Sequence, residues 1–128
     1  MNASKLRQYV DRLDQQRRKL LSKAMRPLAM VSGSLYQMRR RCGNARCKCA
    51  RGALHASWYL SRRVEGRTRL FYIGRIVPES LCKPAYRYQR HQKLLAQIRR
   101  IDGEISRCLN QLRDQKIEPF NNRKEKQR

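Results

Sequence analysis

Residues 41–55 read RCGNARCKCARGALH and bring three cysteines and a histidine together in a short basic segment. Thiolate and imidazole groups are ligands that zinc prefers, and a Cys3His set is a common closed, structural form of zinc site. The segment consists mainly of small and basic residues, so it offers no apolar core in which three thiols could be buried. The pattern therefore predicts a zinc-binding loop with the ligands Cys42, Cys47, Cys49 and His55.

Other roles for the five cysteines stay open at this stage. Cys47 and Cys49 could instead form a redox pair, because neighbouring cations lower the pKa of a thiol. Cys82 is the alternative fourth ligand if His55 does not bind the ion. Otherwise Cys82 and Cys108, which lie beside apolar residues in helical segments, are expected to pack in the interior. The odd number of cysteines fits metal binding better than a disulfide framework and indicates a reducing compartment.

Two β-strands are predicted directly after the cysteine loop. Residues 57–63 and 67–74 are rich in aromatic and β-branched side chains, and the glycine-containing segment 64–66 lies between them. This pattern is typical of a β-hairpin. A shorter strand is predicted at 35–38, after the turn signal at 32–34.

The hairpin carries four aromatic residues, Trp58, Tyr59, Phe71 and Tyr72. Because side chains alternate along a strand, Trp58 and Tyr59 face opposite sides of the sheet. The sequence does not decide which side is buried. We expect about two of the four rings to face outward, where they could stack on nucleic-acid bases.

Both ends of the chain show helical periodicity. Apolar residues recur every three or four positions from Ser4 to Met25, with Ser4 as the expected N-cap and an end before Pro27. A further helical stretch is predicted to open at Pro78, and Pro84 suits the first turn of a longer helix. The helices are expected to pack against each other or to form a homodimer. The predicted fold class is α+β, with two long antiparallel helices carrying a small metal-pinned loop and an antiparallel β-hairpin.

Composition changes along the chain predict four segments in a single folded unit. They are an N-terminal amphipathic helix at 1–28, the Cys/His loop with the arginine-rich hairpin at 29–76, C-terminal helices at 77–117 and a disordered basic tail at 118–128. The tail is assigned from its lack of any apolar pattern.

The charge of the chain indicates its class of partner. The formal net charge is +23, from 32 Lys and Arg against 9 Asp and Glu, which exceeds what solubility needs. Residues 29–76 hold eleven basic residues against one acid, Glu65. A polyanion is the natural partner, and arginine can hold phosphate with two hydrogen bonds. The predicted nucleic-acid contacts are Arg39, Arg40, Arg41, Arg46, Lys48, Arg51, Arg62, Arg63, Arg67 and Arg69.

These features predict a non-catalytic nucleic-acid-binding protein, with DNA favoured over RNA. A structured-RNA-binding component of a ribonucleoprotein is the first alternative. An enzyme is not expected, because the basic segment has no carboxylate pair and a closed metal site has no position for water. A recombinase-type subunit with Tyr59 or Tyr72 as nucleophile is the second alternative. Neither a membrane-spanning run nor a signal-peptide pattern is present, so a cytoplasmic location is expected.

The middle of the chain resembles an uncharacterised family of small basic prokaryotic proteins. Its members carry G-S-L-Y, then C-G-x3-C-x-C-x2-G-x2-H, then Y-L-S and a G-x-T hairpin. Here the pattern occupies residues 33–36, 42–55, 59–61 and 66–68. Such proteins are found near mobile genetic elements, so the resemblance implies a nucleic-acid-binding accessory protein.

Overall fold

The computed structural model describes residues 1–120. Its elements are α1 (Ala3–Ala24), β1 (Ser34–Arg40), a 3₁₀ turn (Lys48–Arg51), β2 (His55–Val64), β3 (Arg67–Gly74) and α2 (Glu79–Asp114). Two helices and a three-stranded antiparallel sheet confirm the predicted α+β class. The chain divides into two compact units, one formed by residues 1–25 with the chain from Leu95 onward, the other by residues 26–94.

The first unit is an antiparallel pair formed by α1 and the C-terminal part of α2. The Tyr9 hydroxyl donates to Glu104 Oε2 at 2.7 Å, and Gln115 donates to the carbonyl of Met1 at the end of the pair. Apolar residues at helical spacing are buried inside it, namely Leu6, Leu13, Ile98 and Cys108. The predicted antiparallel helices and the predicted burial of Cys108 are therefore confirmed.

Helix α1 begins earlier than expected. Asn2, rather than Ser4, is the N-cap, and its side-chain oxygen accepts a hydrogen bond of 2.8 Å from the backbone N–H of Lys5. Ser4 lies inside the first turn, so its prediction as the cap was wrong. Both residues are good caps, and the helix uses the one that adds a further half turn ahead of the buried Leu6.

Replacing Asn2 with alanine is expected to destabilise the helical unit by about 1 kcal/mol, because an N–H of the first turn loses its acceptor. Ser4→Ala serves as the matched control. That change should alter the free energy of unfolding by less than about 0.5 kcal/mol, since Ser4 is exposed. Urea melts of both variants measure the difference. Equal losses would show that Asn2 is not the cap.

The C-terminal region is one helix of 36 residues rather than several helices. Pro84 lies within α2, and the missing N–H removes a bond to the carbonyl of Ser80 only, close to the helix start. The helix therefore continues past the proline. The carbonyl of Pro84 also accepts a hydrogen bond from the N–H of Val31 at 3.1 Å, which joins the segment before β1 to α2.

The second unit contains the sheet, in the order β1-β2-β3. The predicted hairpin is present as β2 and β3, joined by Glu65 and Gly66 at φ values of 51° and 79°. Two positive φ values in a two-residue loop define a type I′ turn, which matches the twist of the flanking strands. The predicted short strand is longer than expected and pairs with β2 over its full length.

The buried residues of this unit are Cys49, Leu60 and Ala85. Cys82, predicted to pack in the interior, is instead exposed on α2. The predicted basic tail, residues 118–128, lies outside the described residues beyond Phe120. Of the helices in residues 1–120, none combines the length and the apolar content needed to cross a membrane.

Candidate metal centre and basic surface

The cysteine loop, residues 41–54, connects two neighbouring strands. The last residue of β1, Arg40, is the register partner of the first residue of β2, His55, so the loop leaves and re-enters the sheet at one point. Cys42 follows β1, whereas Cys47 precedes the 3₁₀ turn that contains Cys49. The strand ends and the turn thus bring residues from both ends of the loop together.

The four predicted metal ligands converge. Their ligand atoms all lie within 4.8 Å of one another. The Sγ atoms of Cys42 and Cys49 are 3.5 Å apart, and Cys47 Sγ lies 3.1 Å from His55 Nε2. Donor atoms of a tetrahedral zinc site with bonds of about 2.0–2.3 Å lie about 3.3–3.8 Å apart. The two measured separations are close to this range, and these four residues could hold a metal ion.

The structure assigns the fourth position of this group to the histidine. His55 belongs to the cluster, whereas Cys82 lies on α2 and is not part of it. The spacing of residues in the sequence could not show that His55 lies near the cysteines. The strand register shows it, because it pairs His55 with Arg40 at the start of the loop.

The loop backbone adjusts the acidity of the three thiols. Cys42 has a lowered pKa, mainly because the N–H of Asn44 donates to its sulfur, with smaller contributions from the Cys49 and Cys47 thiols. The pKa of Cys47 is lowered by the N–H of Cys49, by the Cys49 thiol and by His55. A lowered pKa favours the thiolate, which is the form that binds metal.

Cys49 differs from the other two cysteines because it is 1% exposed. The N–H of Cys42 donates to its sulfur at 3.2 Å and by itself would lower the pKa. Burial and the two neighbouring thiols outweigh this bond, so the pKa of Cys49 is raised. An N–H directed at a ligand sulfur is the kind of surrounding contact that orients a metal ligand.

The predicted basic contacts of the loop all lie on the surface. Arg39 and Arg40 end β1 on opposite sides of the sheet, and the others lie along the cysteine loop. All are exposed: Arg39, Arg40, Arg41, Arg46, Lys48 and Arg51.

The four arginines of the hairpin divide between the two sides of the sheet. Arg62 and Arg69 are direct register partners, and Arg67 shares their side. Arg63 lies on the opposite side, where its Nη2 donates to the carbonyl of Gly66 at 2.8 Å. Three of these arginines therefore lie on one side of the sheet and one on the other, because adjacent residues of a strand alternate.

Acidic partners are scarce where these cations lie. Within residues 1–120, the ion pairs are Arg17–Asp102, Arg18–Asp14 and Arg113–Asp114, and all three lie in the helical unit. None of the described ion pairs involves the cysteine loop or the sheet. The acid of this region, Glu65, is exposed at the type I′ turn.

Sequence reasoning missed one residue beside this surface. Tyr36 of β1 is the register partner of Tyr59, which in turn is the partner of Tyr72. The three tyrosines therefore form a row across one side of the sheet. The place of Tyr36 beside Tyr59 could be predicted only from the pairing of β1 with β2. The sequence shows only that Tyr36 and Leu35, as neighbours on a strand, point to opposite sides of the sheet.

The fold and the site define an α+β protein with a surface Cys3His group that could hold a metal ion. The chain belongs to DUF6788, a domain of unknown function, whose family model matches residues 10–81. This match covers most of α1, the whole sheet and the cysteine loop. It confirms the expectation of an uncharacterised family. No curated protein and no solved structure shows significant similarity to the chain.

Proposed function

We propose that the protein is a non-catalytic nucleic-acid-binding protein whose Cys3His loop is held by zinc. DNA is the favoured partner, and the role would be that of an accessory protein of a mobile element. The observation that carries the proposal is the set of exposed arginines on the loop and sheet, which have no ion-pair partner among the described residues. A phosphate backbone supplies the missing charges and releases counterions on binding.

The hairpin supplies a second argument. Arg62 and Arg69 face each other directly across β2 and β3. Like charges in this arrangement destabilise a sheet. The pair of Arg62 and Arg69 is unfavourable for folding, yet both side chains are exposed to solvent. A bound anion would relieve their repulsion, which supports a role in binding phosphate.

Zinc would act here as a structural ion. Cys42, Cys47, Cys49 and His55 supply four ligands, which complete a tetrahedral set. The bound ion would fix the loop that connects β1 to β2, together with its exposed cations. Cations held in place lose less entropy on binding than flexible ones. Glu65, the acid among residues 29–76, lies at the hairpin turn, at the other end of β2 from the cysteine loop, which supports a binding role over hydrolysis.

The double variant Arg62→Ala/Arg69→Ala tests the proposal. Binding to labelled duplex DNA is measured at several salt concentrations with the full, zinc-loaded chain. Removal of two phosphate contacts is expected to reduce the slope of log affinity against log salt by about two. The stability of the sheet should stay the same or rise, because a repulsive pair is removed.

Arg18→Ala/Arg113→Ala is the matched control, since it removes the same charge from residues that are ion-paired to Asp14 and Asp114. The control should change the slope by less than half as much. Equal effects of the two double variants would show that only total charge matters, with no contact surface on the hairpin. Tighter binding to an RNA hairpin than to DNA at equal salt would favour the ribonucleoprotein alternative.

A further inference from the structure

Each strand of the sheet contributes one tyrosine to a continuous row. The ring centroids of Tyr36 and Tyr59 are 6.0 Å apart with an interplanar angle of 25°, and those of Tyr59 and Tyr72 are 5.6 Å apart at 71°. The row therefore crosses the full width of the sheet. Its spacing follows from the strand register, because register partners point to the same side.

The tyrosine row lies on the open side of the sheet. Tyr72 is 65% exposed, and Tyr36 and Tyr59 are each partly exposed. The buried Leu60 faces the other side, because it is adjacent to Tyr59 on β2. Small residues, Ser57 and Ser61, stand on either side of the central ring. The rings are thus accessible rather than packed into the core.

Positive charge lies at both ends of this open side. Arg40 and Arg63 share it with Tyr59, the first near the cysteine loop and the second near the hairpin turn. Each is four residues along the strand direction from the row, which corresponds to about 13 Å. The side therefore combines accessible aromatic faces with cations placed before and after them.

We propose that Tyr36, Tyr59 and Tyr72 stack on the unpaired bases of single-stranded nucleic acid, while Arg40 and Arg63 contact its phosphates. Bases inside a duplex are already stacked on each other, so exposed rings discriminate in favour of single strands. Aromatic rings accept any base, and the expected recognition is therefore tolerant of sequence. This inference rests on the proposed function and specifies the form of nucleic acid that this side of the sheet takes.

The double variant Tyr36→Leu/Tyr72→Leu removes two of the aromatic faces and keeps apolar side chains. Tyr36→Phe/Tyr72→Phe is the matched control, because it keeps the rings. Affinities are measured for oligo-dT and oligo-U of about 15 nucleotides and for a duplex of equal phosphate number, at fixed salt. Zinc content and thermal melts show that each variant is folded.

The leucine variant is expected to lose roughly tenfold or more in single-strand affinity per ring, with duplex affinity changed less than about twofold. The phenylalanine variant should bind like the native chain. Equal losses on single strands and duplex, or none on single strands, would overturn the inference while leaving the proposed function in place. A native chain that binds neither form would instead overturn the proposed function. Preference for oligo-U over oligo-dT, or the reverse, identifies the natural strand.

Discussion

A chain with Cys49 replaced by serine is expected to lose the proposed zinc ion and the order of residues 41–54. Cys49 is the most buried of the four candidate ligands, and serine has a similar size but no thiolate. The binding free energy of structural zinc is about 10–16 kcal/mol in small zinc domains and contributes directly to folding. We therefore expect the unit formed by residues 26–94 to lose more than about 3 kcal/mol of stability.

Native mass spectrometry measures the metal content, and amide hydrogen exchange reports on the loop. The Cys82→Ser variant is the control, because this thiol is exposed on α2 and outside the Cys3His group. It should keep the metal and the stability of the native chain. The helical unit, with its own buried Leu6, Leu13, Ile98 and Cys108, should retain its protection in both variants. The native chain can also be treated with a chelator to remove the metal. An unchanged hydrogen-exchange pattern in residues 41–54 after this treatment would contradict a structural role for the ion.

Gly33→Ala should be the second strongly destabilising change. The φ value of Gly33 is +126°, which residues other than glycine rarely adopt. A Cβ atom there would lie 2.6 Å from the carbonyl oxygen of Ser61 and 3.0 Å from Leu60 Cδ1. Backbone strain and overpacking add, so we expect a loss of about 3 kcal/mol or more. The thermal midpoint of the sheet unit should fall by more than about 10 °C.

The matched control for Gly33 is Gly66→Ala at the hairpin turn. Gly66 also has a positive φ, of +79°, but a Cβ atom there meets none of the described residues within 4 Å. Its replacement should cost about 1 kcal/mol, the conformational penalty alone. Calorimetry separates the two cases. Similar losses of stability at both positions would mean that the backbone around Ser61 shifts to make room for the added Cβ atom of residue 33.

The hairpin could be predicted from sequence because every signal for it is local. Aromatic and β-branched residues define both arms, and the glycine-containing segment 64–66 defines the turn between them. The pairing of β1 with β2 could not be predicted in the same way, because the long cysteine loop separates the two strands. Without that pairing, neither the tyrosine row nor the position of Gly33 against Ser61 could be predicted.

The candidate metal site was predictable to the level of residue type. Three clustered cysteines and a histidine indicated the chemistry. The structure shows their arrangement: register pairs His55 with Arg40, and the loop brings Cys47 Sγ to 3.1 Å from His55 Nε2. Burial of the remaining cysteines was not predictable, because Cys82 and Cys108 occupy similar helical contexts. The face of a helix that is buried depends on which other elements pack against it, and the local sequence does not show this. Cys108 faces α1 within the helical unit, whereas Cys82 faces solvent.

The order of the sheet has a consequence for how copies of the chain behave at high concentration. Within the described residues, β1 and β3 are edge strands and offer unpaired backbone groups to a second molecule. Charged side chains on edge strands oppose such edge-to-edge association. Arg39 and Arg40 on one edge, and Arg67 and Arg69 on the other, would therefore keep copies apart until a polyanion neutralises them. Purification free of nucleic acid should be easiest at high salt, which weakens phosphate contacts, whereas short polyphosphates are expected to promote aggregation.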